Sequence, residues 1–176
     1  MGNAEKSPAP PDLSLLARQI REWGEQLGFQ KVGISDIDLS HAEPRLSEWL
    51  RAGFHGEMDY MAKHGVKRAR PTELVPGTLR VIAARINYLP PGVSESWTVI
   101  NDGDKAFVSR YALGRDYHKV LRRRLQQLAT RIDAAVGAHS YRVFTDSAPV
   151  MEVELAEKAG LGWRGKHTLL LTRDAG

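Results

Sequence analysis

Apolar residues recur every three or four positions from Leu16 through Ile20 and Trp23 to Leu27, a spacing that places them on one face of a helix. Asp12 stands where that helix needs an N-cap, and Gly28 where it must stop. The run 29–35 reads as a short strand. A second helix carries Leu46, Trp49 and Leu50 and ends at Gly53, and 55–65 reads as a further short helix between glycines. Residues 79–90 are nearly all apolar, which predicts a central strand buried on both faces. A polar loop at 90–105 and a short strand at 106–113 follow. The clearest signal comes next: Tyr117, Leu121, Leu125, Leu128, Ile132 and Val136 step along one face of a helix from about 116 to 136. A strand near 141–145, a helix near 148–159 and a strand near 167–172 complete the pattern. This alternation predicts an α/β, α+β layered domain, with a mixed central sheet flanked by helices.

At 176 residues the chain suits one domain, here 12–176, behind a polar, Pro-rich tail at 1–11 that reads as disordered. Its 42% hydrophobic and 26% charged residues are those of an ordinary globular protein. No apolar run reaches the ~18 residues of a membrane span, and the start lacks the apolar core of a secretory signal. The expectation is a cytoplasmic monomer with no membrane partner. There are 0 cysteines, which excludes disulfides, thiolate-bound zinc and thiolate-bound iron–sulfur clusters within these residues. The net charge of +4 permits a polyanionic partner without requiring one.

Four segments concentrate chemistry. Asp146 follows a predicted strand and precedes Ser147-Ala148-Pro149, a place where loops display catalytic side chains; a helix cap is the competing use, but Ser147 can serve as cap itself. Residues 109–119 gather Arg110, Tyr111, Arg115, Asp116, Tyr117, His118 and Lys119 at a helix start, which suits either anion contacts or a plain capped entrance. Gly162 and Gly165, followed by Lys166 and His167, allow close backbone approach to a ligand, or simply a tight turn into an edge strand. Arg122, Arg123 and Arg124, with Lys119 and Arg131, could meet phosphates or form a solvated face. The histidines show no metal-binding pair at helical spacing.

Taken together, "HGEMDYMAKHG", "RARPTELVPGTLRVIAARINYLP", "VSRYALGRDYHKVLR", "FTDSAP" and "LAEKAGLGWRGKHTLLLTRDAG" resemble, in this order, the N-terminal half of epoxyqueuosine reductase. That family completes the tRNA wobble nucleoside queuosine. The resemblance implies a cobalamin-binding reductase domain, cut before an iron–sulfur region with two [4Fe–4S] clusters and a helical repeat region, so that this chain by itself is an incomplete enzyme. It implies cob(II)alamin as cofactor, tRNA carrying epoxyqueuosine as partner, and an electron donor that is not identified. It also implies Asp146 as proton donor and cofactor neighbour, and Lys63, Leu170, Lys166 and His167 as further cofactor contacts. Arg110, Tyr111, Tyr117 and His118 are implied near the substrate. Alternatives from other classes are a tRNA-binding module without catalysis and a flavin-dependent reductase domain whose basic residues hold the FMN phosphate.

Overall fold

Asp12 caps the first helix as the pattern requires: its Oδ1 accepts bonds from the N–H groups of Ser14 at 2.9 Å and Leu15 at 3.1 Å. The computed structural model describes residues 12–88 and 94–173, so the expected tail at 1–11, part of the 90–105 loop and the last three residues lie outside the described set. Helix α1 (Leu13–Gln26) ends before Gly28, which takes a left-handed φ of +82°. The chain then enters β1 (Lys31–Ser35), which pairs antiparallel with β2 (Val81–Arg85), Lys31 opposite Arg85 and Ser35 opposite Val81.

Between these strands come α2 (Glu43–Arg51), α3 (Tyr60–Lys63), a 3-10 turn (Gly65–Arg68) and α4 (Pro71–Leu74). After β2 follow α5 (Ser96–Ile100), a 3-10 turn (Arg110–Ala112), the long α6 (Tyr117–Val136) and α7 (Glu152–Lys158). The last described elements are β3 (Trp163–Arg164) and β4 (Leu170–Leu171), a small antiparallel hairpin.

The core forms where α1 and α6 cover the β1–β2 pair. Ile20, Phe29, Val32, Leu128 and Ile132 are buried there, and Leu16, Trp23, Leu121 and Leu125 pack around them. Each fully buried side chain of this kind contributes about 1.5–3 kcal/mol. Arg124 and Arg131 add polar stitches between the helices, donating to Gly28 O at 3.1 Å and to Gln26 Oε1 at 2.7 Å.

Helices and strands are layered as the pattern predicts, and the sheet is the part that differs. Among the described residues it consists of two separate antiparallel pairs rather than one mixed central sheet. β2 is half-buried at every position, because it has one strand neighbour and is covered by helices rather than enclosed by further strands. Residues 106–109 and 141–144 form no strand, since no ladder partner lies beside them, and Tyr141, Phe107 and Val108 remain exposed. The helix expected at 148–159 begins only at Glu152, because the Ser147-Ala148-Pro149 segment is spent on a turn in which Ser147 N–H bonds Thr145 O at 2.7 Å.

Helix α7 is seated by one close backbone approach and by side chains that reach across to it. Gly33 of β1 lies against Ala159, so close that a Cβ there would stand 2.9 Å from the Ala159 Cβ. Lys31 Nζ donates to Gly160 O at 2.8 Å and Arg85 to Leu161 O at 2.9 Å, while Lys158 pairs with Asp36.

Candidate active site

The turn between Thr145 and Glu152 is held from both ends. Behind it, α7 is fixed against β1; beside it, Met151 N–H bonds Arg68 O at 3.1 Å. Arg68 in turn donates to Met61 O at 3.0 Å and Tyr60 O at 2.9 Å, which ties the α3 segment to the same turn. Within this frame Asp146 adopts φ +57°, a left-handed conformation that Asp and Asn tolerate better than other non-glycine residues.

Two residues from the first turn of α6 meet the Asp146 side chain. The Tyr117 hydroxyl donates to Asp146 Oδ2, and His118 Nε2 lies 3.4 Å from the same oxygen. The rings of Tyr117 and His118 stack with centroids 4.0 Å apart, and Tyr111 packs edge-on against Tyr117 at 6.0 Å. Asp116, the cap of α6, accepts from His118 N–H at 3.0 Å and lies 3.0 Å from His118 Nδ1. One imidazole thus stands between two carboxylates, and Asp146 still shows about half of its side chain to solvent (48%).

Charge in this cluster follows from these contacts. The bond to His118 holds Asp116 below the usual carboxylate range. The phenol of Tyr117 is pushed up to about 12, first by donating to Asp146 and then by partial desolvation and the Asp146 charge. Glu152, at the start of α7, is raised by desolvation and then by the nearby Asp146 carboxylate, against the pull of the Asp146 N–H. Beside the cluster opens a cavity of about 290 Å³ lined by Asp116, His118, Lys119, Arg122, Thr145 and Ser147.

The other sequence candidates fall elsewhere. Arg110 donates to Ser94 O at 3.3 Å and Ser96 Oγ at 3.0 Å, and so serves the 94–113 region rather than the Asp146 cluster. Lys63 ends α3 exposed. Lys166 and His167 occupy the exposed tip of the β3–β4 hairpin, with Leu170 half-buried in β4. Among the described residues no hydrogen bond or ion pair joins the hairpin tip to Asp146, Tyr117 or His118. The hairpin accounts for its own glycines: a Cβ at Gly165 would collide with the His167 ring, and one at Gly162 would meet Leu170 Cγ at 3.2 Å. The hairpin is anchored to α7 by Arg164, which pairs with the buried Glu154. Thr145 was not legible as a site residue; its Oγ1 is buried without a hydrogen-bond partner, and only its place directly before Asp146 pointed toward it.

The family model described as "Epoxyqueuosine reductase QueG, DUF1730" matches residues 68–147, the span that holds α6 and Asp146. The epoxyqueuosine reductase of Pseudomonas aeruginosa is 61% identical over 168 residues, which is 96% of this chain and 46% of that protein. Over nearly its whole length the chain is similar to the epoxyqueuosine reductases. It spans less than half the length of the curated relatives it matches. Two solved epoxyqueuosine reductases share the fold. One, labelled with selenomethionine, superposes with a TM-score of 0.72 at 21% identity, covering 92% of this chain and 42% of that one. The other, solved with an epoxyqueuosine-modified tRNA-Tyr stem loop, gives a TM-score of 0.69 at 20% identity, covering 92% and 42%.

Cobalamin, implied by the resemblance, can be tested against the residues present. Pockets for drug-sized ligands run to about 300–1,000 Å³, and a corrin with its amide arms is larger still. The cavities beside Asp146 and beside Arg110, about 290 and 270 Å³, are open and cannot enclose it. What the Asp146 region does present is an exposed carboxyl and a polar rim. The fit is that of one wall.

Proposed function

We propose that the chain supplies one wall of an epoxyqueuosine-reducing site, with Asp146 as the proton donor. The observation that carries this reading is the placement of Asp146, held out on a left-handed turn, gripped at one oxygen by Tyr117 and His118 and half-open to solvent. Reduction of an epoxide to an alkene breaks both C–O bonds, forms the C=C bond and releases the oxygen as water, consuming two electrons and two protons. Asp146 gives one proton to the departing oxygen, and solvent gives the other. Tyr117 fixes the direction of the carboxyl, and Asp116 fixes the His118 ring. Lys63, Lys166, His167 and Leu170 are the residues proposed to border cobalamin, which when bound would supply the electrons. The two [4Fe–4S] clusters need thiolates, and with 0 cysteines in these residues their ligands belong to other polypeptide. The substrate is proposed to be tRNA bearing epoxyqueuosine, the nucleoside on the stem loop bound by the second solved relative.

The test is Asp146→Asn in a protein of the relatives' full length built around this segment. Asn accepts the left-handed backbone, so the turn is kept. Turnover should fall by about 10²–10⁴ with RNA affinity retained, the usual loss for a general acid. Undiminished turnover would remove Asp146 from the role. Titrating the 176-residue chain with cob(II)alamin should give saturable binding, and a folded chain that binds none would show that this wall does not suffice.

A further inference from the structure

The basic run on α6 divides by what its members touch. Arg124 and Arg131, seven residues apart and therefore on one helix face, bond back to α1. Lys119 and Arg122 lie on another face, three residues apart, where side chains are neighbours. Neither makes a hydrogen bond or an ion pair among the described residues, and both line the cavity beside Asp146. The same cavity is lined by Ser147 and by Thr145, whose buried Oγ1 has no partner. Unpaired buried hydroxyls are uncommon, because each costs about 1–3 kcal/mol unless something fills the place. Of the two acids at the rim, Asp116 is occupied by His118, and Asp146 is held by Tyr117 and His118. Two cations without a hydrogen bond or ion pair thus remain, Lys119 within the field of Asp116, and with the two hydroxyls that set suits a singly charged oxyanion.

We propose that this cavity seats a backbone phosphodiester of the RNA strand adjoining the reacting nucleotide, with Lys119 and Arg122 supplying charge and Thr145 and Ser147 supplying hydroxyl bonds. The site rests on the reading of the chain as part of an RNA-modifying reductase and adds to it a register device. A phosphate fixed beside Asp146 sets how far along the strand the modified base must lie to reach the acid. Contacts to phosphate fix position without reading sequence, so the pair governs placement rather than choice of base.

The experiment uses the full-length protein and an epoxyqueuosine-bearing stem loop. For the Lys119→Gln/Arg122→Gln double variant, the slope of log affinity against log salt should flatten by about 0.7–0.9, the contribution of the one phosphate the pair holds. Arg123→Gln, a charge loss on the same helix outside the cavity, should leave turnover unchanged and flatten the slope by less. Thr145→Val should weaken RNA binding severalfold while stability holds or rises, which a merely structural hydroxyl would not do. Unchanged RNA affinity and slope in the double variant would overturn the proposal. So would a double variant that loses cob(II)alamin affinity and keeps RNA affinity, because the phosphodiester seated here would then belong to a cofactor tail. Wild-type protein that binds the stem loop without reducing it would refute the reductase reading and leave the phosphate site standing.

Discussion

Adding one methyl group at Gly33 should damage the fold more than its size suggests. An alanine Cβ there falls inside the van der Waals shell of the Ala159 carbonyl oxygen, 2.9 Å from the Ala159 Cβ and 3.0 Å from its carbonyl carbon. Carbon atoms pack best at about 3.5–4.0 Å, so α7 must retreat by about 0.5–1 Å, and backbone cannot rotate away as a side-chain tip can. That retreat stretches the bonds from Lys31 to Gly160 O and from Arg85 to Leu161 O. Overpacking of this kind costs about 1–3 kcal/mol. At about 2–4 °C per kcal/mol for a chain of this length, Tm should fall by about 2–12 °C. Gly103→Ala is the control, since nothing lies within 4 Å of a Cβ built there; its Tm should move by no more than about 2 °C. Thermal unfolding followed by circular dichroism measures both. Equal Tm values for the two variants would refute the claim that α7 is seated against β1 by backbone contact.

Two further outcomes follow from the site. In a spectrophotometric titration, one of the 5 tyrosines should ionise near pH 12 instead of about 10, and Tyr117→Phe should abolish that late phase. The sign is fixed by linkage: the fold favours the neutral phenol, so its contribution is full below pH 10 and lost as pH rises through 12, and a single phase near 10 would contradict the Tyr117–Asp146 bond. Glu154→Gln removes the charge of Arg164's buried partner and should cost about 1–3 kcal/mol. Amide exchange should then accelerate across 163–171 while Ile20, Val32 and Leu128 stay protected, and uniform loss of protection would show that Glu154 supports the whole core.

Helices α1 and α6 were legible because both are long, amphipathic and capped by an aspartate whose role is local. Strands were harder, since an apolar run announces burial but not what does the burying. Val81–Arg85 does form a strand, yet helices cover it where further strands were expected. Residues 106–109 and 141–144 have strand-like composition and no ladder partner. The meeting of Tyr117 and His118 with Asp146 joins positions 29 and 28 residues apart, and only the packing of α6 and α7 against the β1–β2 pair decides it. Arg110 illustrates the reverse: it belongs to a dense polar motif, but its guanidinium is drawn away by Ser94 and Ser96. For the basic run, sequence showed the charges, and the position of α1 decided which of them were free.

The division of labour along α6 also shapes how this surface can change over generations. Arg124 and Arg131 answer to the fold, because they hold α1; Lys119 and Arg122 answer only to whatever enters the cavity. Drift at 119 and 122 can therefore retune a partner's grip while the scaffold beneath stays intact, whereas the same substitutions at 124 or 131 would also loosen the hold on α1. A single helix so divided lets recognition evolve at a different pace from architecture.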